Sequence, residues 1–273
     1  MTDTRSPVRE RGPRSLTGML DNRTTYFLLA LAVFLIVWEA AARAMDLLLL
    51  PTVGETVVGL FHVLTDPEVW VAFGRSNLAL LVGYVAAVVI GIPVGILIGR
   101  SEPADRAAAP YIAILIVTPM AGIIPLVIMA LGLTLAAASA LVFVFAVPMV
   151  IVNTRAGARG VDVGQIEMAR SHLASRAALF RFVYLPGSLI GIMSGLRLAL
   201  GRAVAGMVLG ELLLVATGIG GLILHYQSKY QSGELYAVVL LVLVEAWLLA
   251  AGVSRLERAT TWWALTADKE KSR

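Results

Sequence analysis

Charged side chains are scarce in this sequence, so the places where they gather are informative. Residues 165–186, QIEMARSHLASRAALFRFVYLP, hold Glu167, Arg170, Arg176 and Arg181 between two long apolar runs. Apolar residues within that stretch fall at Ile166, Ala169, Leu173, Ala177, Phe180 and Tyr184, steps of three and four that mark one helical face. Ser175, near the middle, can start a second helix after a turn, because its hydroxyl can accept from backbone N–H groups just ahead of it. The pattern predicts an amphipathic helix pair held out on one side of a membrane. It equally suits a helix lying on lipid headgroups, with its arginines reaching for phosphates.

Five further ionisable residues stand inside apolar runs: Glu39, Arg197, Arg202, Glu211 and Glu245. Each would cost about 2.5–3.5 kcal/mol if it faced lipid at mid-depth, so each must face protein, water or the interface. Glu39 and Arg197 lie near run ends and read as interfacial. Arg202 and Glu211 are about 13 Å apart along one helix axis, too far to pair within the chain. They can brace neighbouring helices or coordinate an anion.

Other chemistries lack their residues. No GxxxxGK[ST] phosphate loop occurs, since Lys229, Lys269 and Lys271 never follow a glycine. There is no GxSxG elbow and no cysteine, and His62, His172 and His225 are far apart with no ligand partner at helical spacing. No catalytic residue, metal site or cofactor of the chain's own is expected.

The elements that must position these residues follow from composition. The 273-residue chain is 59% hydrophobic and 15% charged, with a mean hydropathy of +0.85. Soluble domains are about 45–50% apolar and about 25% charged, so the fold class is an all-α polytopic membrane protein. Its net charge of +4 comes from arginines at segment ends and does not form a nucleic-acid-binding face. Six spans are predicted, at about 26–44, 77–99, 107–131, 135–153, 187–214 and 235–254, making one membrane domain over 25–257. The second pair comes from an uncharged run of 48 residues between Arg106 and Arg155, too long for one crossing. Its natural break is at residues 131–134.

The remaining segments are expected as a disordered basic tail over 1–24, a surface helix over 49–70 on the outer side, a polar loop over 155–186, an outer loop opened by Gly218 and a tail over 258–273. The first span is too long for a signal-peptide core and reads as a retained helix. In the third span, Pro119 and Pro125 free backbone carbonyls. Such groups are tolerated where they face protein or a water-filled route, which favours a transport pathway over a packing kink. Glycines recur every fourth residue at Gly91, Gly95 and Gly99, at Gly187, Gly191 and Gly195, and at Gly206 and Gly210. These are faces for close helix approach, in the fifth span against a neighbouring helix or a partner chain.

Counting Lys and Arg sets the orientation. Seventeen fall on the side of the termini and the 155–186 loop, against three on the other, so termini and loop are expected in the cytoplasm.

Several motifs carry a resemblance. Glu167-Met168-Ala169 followed by Leu185-Pro186 resembles the EAA loop of bacterial ABC-importer permeases. The runs GLRLALGRAVAGMVLGELL at 195–213, GIGGLI at 218–223, GIPVGILIGRS at 91–101 and TPMAGIIPLVIMALG at 118–132 are similar to the branch of that family that imports sulfonates, taurine and nitrate. The likeness runs in order from about residue 50 to 263. It implies a permease subunit, not an enzyme, in the bacterial inner membrane. The resemblance further implies that such a subunit would act by alternating access with two ATPase subunits inside, a substrate-binding protein outside and a second copy of itself.

The resemblance makes 155–186 the coupling loop between the fourth and fifth spans, with Glu167, Met168, Ala169, Arg170, Ser171, Leu173, Ser175, Leu179, Phe180 and Pro186 as docking residues. Leu173, Leu179 and Phe180 would seat in a groove, and Glu167, Arg170 and Arg176 would set register. Pathway candidates are Pro119, Pro125, Met129, Arg202 and Glu211, and the expected solute is a small anion. Two departures stand out. Leu173 occupies the family's glycine position, implying a tighter apolar seat or a later turn. Ala130-Leu131 stands where Trp-Phe is frequent, which could widen the route. The rival readings are an ion-coupled secondary transporter, for which no inverted repeat is visible, and a structural subunit of a membrane complex.

Overall fold

A computed structural model of the chain describes residues 23–45, 50–213 and 218–260. Among them the regular structure is entirely helical: α1 (Arg23–Met45), α2 (Val53–Thr65), α3 (Pro67–Gly99), α4 (Glu102–Val117), α5 (Ile124–Leu131), α6 (Leu135–Arg159), α7 (Val163–Ser171), α8 (Arg176–Leu179), α9 (Leu185–Gly187), α10 (Leu189–Leu213), α11 (Gly218–Ser228) and α12 (Ser232–Thr260). Five helices, α1, α3, α6, α10 and α12, are long and apolar enough to cross a membrane. The pair formed by α4 and the Met120–Leu131 segment makes a sixth span if counted as one broken helix. The expected tails lie outside the described residues up to residue 22 and beyond 260.

Helix α6 is the centre. Glycines of α3 and α10 let both helices press against it on neighbouring faces. A Cβ placed on Gly95 would meet the Thr154 Cβ at 2.7 Å, and one on Gly191 would meet the Asn153 carbonyl at 2.6 Å. The same holds at Gly206 and Gly210 against Phe145 and Leu141. The glycine face of the fifth span is therefore used inside the chain and not against a partner. By contrast α1 is exposed along most of its length and is fastened near its C-terminal end. There the Trp38 indole donates to the Pro51 carbonyl (2.9 Å) and the Val53 N–H donates to Glu39 (2.9 Å).

The sixth span runs to Thr260, beyond the expected 254, and three other differences from the sequence expectation have a physical reason. The second span starts at Pro67, not at 77. Asp66 ends α2 and also caps α3, its carboxylate accepting from the Glu68 N–H (2.8 Å), while Pro67 occupies a first-turn position where no N–H is needed. The third span is not continuous. Thr118, held extended ahead of Pro119, ends α4, and a 3-10 turn over Met120–Ile123 redirects the chain into α5 at 87°. The fourth span runs on to Arg159. Its polar Asn153-Thr154-Arg155 looks like an end, but Thr154 is buried and Arg155 pairs with Asp105. Where only an outer loop was expected after Gly218, the chain forms α11.

Other local signals are read directly. Thr52 and Glu55 form a capping box at the start of α2. Gly132, at φ +68°, separates α5 from α6, whose cap is Thr134.

Candidate functional site

The polar loop between α6 and α10 is two short helices and a turn. Asp162 caps α7 by accepting from the Gln165 N–H (3.2 Å). Helix α7 ends at Ser171 in a Schellman turn, with the Leu173 N–H on the Arg170 carbonyl (2.9 Å) and the Ala174 N–H on the Ala169 carbonyl (3.1 Å). Leu173 itself takes the left-handed conformation, φ +57°, and is 92% exposed. The turn is therefore not delayed by the missing glycine; a leucine is forced into the glycine conformation. Ser175 caps α8 by accepting from the Ala178 N–H (3.2 Å), as its position in the sequence suggested.

From α8 the chain winds through a π-turn, Phe180–Tyr184, into α9, which contains Pro186. Leu179 and Phe180 turn inward here, packing with Ile166 against Ile96, Ala158, Val161, Tyr184 and Ile192. They fasten the loop to the bundle and do not supply its outer face. The large exposed apolar side chains are Val163, Met168, Leu173 and Phe182. Phe182 was not singled out from the sequence. The π-turn adds a residue per turn and rotates the face that a regular helical repeat assigns.

Glu167, Arg170 and Arg176 are exposed, and no ion pair engages them among the described residues. Ser171 and His172 close the end of α7 on the Met168 carbonyl, at 2.8 and 2.9 Å. Two further ties hold the loop in place. The Tyr184 hydroxyl reaches the Arg100 carbonyl (3.5 Å), and Asp105, at the start of α4, bridges Arg155 and Arg159 (3.1 Å to the latter) at the end of α6.

A cavity of about 270 Å³ opens at the break in the third span. It brings together two of the pathway candidates, Pro119 and Arg202, with Thr118, Met120, Ala121 and Met149. The other candidates do not join them. Pro125 lies in the first turn of α5, and Met129 is 84% exposed on the same helix. Ala130 and Leu131 do not border the cavity either.

Glu211, expected as a pathway candidate, lies away from this cavity, on the lining of another with Arg75 and Thr134. It is 3% exposed, accepts from the Gly220 N–H (3.0 Å) and hydrogen-bonds Ser76, whose oxygen accepts from the Ile219 N–H (2.9 Å). The first turn of α11 thus has its free N–H groups met by α3 and α10. Arg197, unlike Arg202, is paired, with Glu257 at 3.3 Å. The histidines are dispersed: His62 meets Glu234, His172 caps α7 and His225 lies edge-on to Tyr226.

With this geometry in place, comparison with known proteins is decisive. Residues 91–260 match the family described as "Binding-protein-dependent transport system inner membrane component", well over half of the chain. The chain belongs to that family. It is a multi-pass inner-membrane permease of an ABC importer, the kind of subunit that works with an ATPase and a binding protein.

Similar proteins include the taurine transport system permease protein TauC of Escherichia coli (strain K12), 28% identical over 89% of this chain and 91% of that one. The putative aliphatic sulfonates transport permease protein SsuC of Bacillus subtilis (strain 168) is 27% identical, with 94% and 92% covered. The nitrate import permease protein NrtB of Synechocystis sp. is 26% identical, with 92% and 94% covered. In fold the permease is similar to a chain in inward-facing structures of the MetNI methionine ABC transporter, with a TM-score of 0.58, 23% identity, and 71% of this chain and 94% of that one covered. The ion-coupled and purely structural readings are not favoured by this membership.

Proposed function

We propose that this permease imports a small anionic solute, of the sulfonate, taurine or nitrate kind, as a homodimer driven by two ATPase subunits docked on the 155–186 loops. The observation that carries the docking role is the exposed set on that loop. Glu167, Arg170 and Arg176 have no ion-pair partner among the described residues, and Val163, Met168, Leu173 and Phe182 stand out beside them. Free charges fix register, and exposed apolar side chains supply contact area, which is what a helix needs to seat in a groove.

Closure of the ATPases on ATP would press the two loops, and the bundles would rock about a shared route so that it opens to one side at a time. The Lys and Arg bias supports placing both termini and the loop in the cytoplasm, with the binding protein outside. Support for the solute class comes from the relatives' printed names together with Arg202, the one cation in the cavity lining.

The test is recovery of the ATPase with the detergent-extracted permease from its own cells, with and without Glu167→Lys. Recovery that the substitution abolishes supports both class and docking site. Equal recovery moves the critical contact elsewhere on the loop. No ATPase in either sample overturns the reading.

A further inference from the structure

Arg202 stands 13 residues into the 25-residue helix α10, about 20 Å from its start and about 17 Å from its end. It is therefore at mid-depth of a span, where a permanently charged guanidinium must have water or a counter-charge. Among the described residues it has neither an ion pair nor a hydrogen bond. That sets it apart from Arg43, Arg106, Arg155, Arg159 and Arg197, each of which meets a carboxylate.

A second copy of the chain would not readily supply the missing charge. The three carboxylates that stand inside apolar runs, Glu39, Glu211 and Glu245, are held within the chain. Glu39 is held by Arg43 and the Val53 N–H, and Glu211 by Ser76 and the Gly220 N–H. Glu245 hydrogen-bonds Asn77, and its other oxygen has no hydrogen-bond partner among the described residues but is buried inside the chain, out of reach of a second copy. What Arg202 does face is the 270 Å³ cavity at the broken helix, where Thr118 offers a hydroxyl and Met120, Met149 and Phe145 offer soft apolar walls.

We propose that Arg202 and Thr118 form an anion subsite in this cavity, taking the oxyanion group of a small solute in transit while the methionines receive a short apolar body. The volume equals about nine waters at roughly 30 Å³ each, room for a solute of a few heavy atoms that keeps part of its hydration. Planar guanidinium geometry suits bidentate contact with sulfonate or nitrate oxygens. The hydroxyl of Thr118 already bonds the Ile114 carbonyl (2.7 Å), leaving its lone pairs to bridging water and its proton to be redirected when an anion arrives. This inference rests on the reading of the cavity as part of a transport route.

The chain has no cysteine, which makes a direct test available in membrane vesicles. Ala121→Cys puts a single thiol on the cavity lining with little change in volume. Its modification is timed with the negatively charged sulfonatoethyl and the positively charged trimethylammonioethyl methanethiosulfonates, with and without methanesulfonate, and with chloride at matched ionic strength as control. With Arg202 intact, methanesulfonate should slow modification and chloride should not. The negative reagent should be favoured over its rate in the Arg202→Gln background by about tenfold, the scale of one charge in a partly desolvated site. Arg202→Gln should abolish the protection, and Arg202→Lys should keep part of it.

The idea fails if methanesulfonate gives no protection when Arg202 is present, if protection survives Arg202→Gln, or if neither reagent reaches the thiol. The first and last outcomes need only the Ala121→Cys chain, so the test stands even if Arg202→Gln does not insert. The measurement uses no ATPase. Its failure therefore leaves the permease reading intact, and loss of the ATPase from the pull-down would leave this result standing.

Discussion

Two residues show how much a single side chain decides in this permease. Leu173 holds a left-handed backbone at φ +57° and is almost fully exposed, so strain is accepted there without any packing return from its own chain. For an L-residue that conformation costs roughly 1–2 kcal/mol. Leu173→Gly should therefore stabilise the α7–α8 turn by about 1 kcal/mol, visible as slower amide exchange in the loop. If the leucine side chain is what seats in the ATPase, the same substitution should lower ATPase recovery despite the firmer turn. A rise in recovery would show the side chain to be idle. Glu211 is the opposite case, a buried carboxylate fully occupied by α11 and Ser76. Glu211→Leu strands the Gly220 N–H and should lower stability in detergent by about 1–3 kcal/mol, whereas Glu211→Gln, which keeps an acceptor, should lose less. Thermal unfolding of the two variants checks the order. Both residues could be located in the sequence, Leu173 as a departure from a family glycine and Glu211 as an acid in a span. Their roles could not, because those depend on a dihedral angle and on a helix folded back from residue 218.

At the scale of elements, the two prolines of the third span do different work although the sequence presents them alike. Pro119 follows an extended Thr118 at the 87° break, while Pro125 sits in the first turn of α5, where its missing N–H costs nothing. Pro119→Ala should let α4 run on, reshape the cavity and reduce transport strongly with ATPase recovery unchanged. Pro125→Ala should change transport by less than about twofold, in keeping with a stability cost under about 1 kcal/mol. Equal effects from the two would mean that the bend is set elsewhere. Apolar run length was enough to find the five long apolar helices and the broken pair, since a membrane leaves few alternatives to helices of that size. The interior details were not legible for specific reasons. The Asp66-Pro67 pair both ends one helix and starts the next, and the π-turn at Phe180–Tyr184 shifts the loop's faces. As a result Leu179 and Phe180 point into the bundle and Phe182 points out.

Across the whole molecule, the question is how a push on the loop could reach the cavity. The loop is not loosely tethered. Tyr184, Val161 and Ile166 pack it on the C-terminal ends of α3 and α6, and Asp105 clamps the first turn of α4 to Arg155 and Arg159 at the end of α6. Helix α4 in turn ends at Thr118, on the cavity wall. A displacement of the loop would thus have two routes to the cavity, through α6 directly and through Asp105 to α4. None of this linkage was readable beforehand, because Asp105 and Arg155 are 50 residues apart and each looked like a cytoplasmic charge beside a span. If the clamp transmits the movement, Asp105→Asn should leave ATPase recovery near that of the native chain while transport falls several-fold. A stability loss of about 1–3 kcal/mol would come from the two arginines left without their partner. The reversed pair, Asp105→Arg with Arg155→Asp, should restore part of the transport lost in Asp105→Arg alone, since it rebuilds a bridge of opposite sense between the same two helices. A double variant no better than the single one, at equal amounts in the membrane, would mean that Asp105 only holds the fold and that the stroke travels by α6 alone.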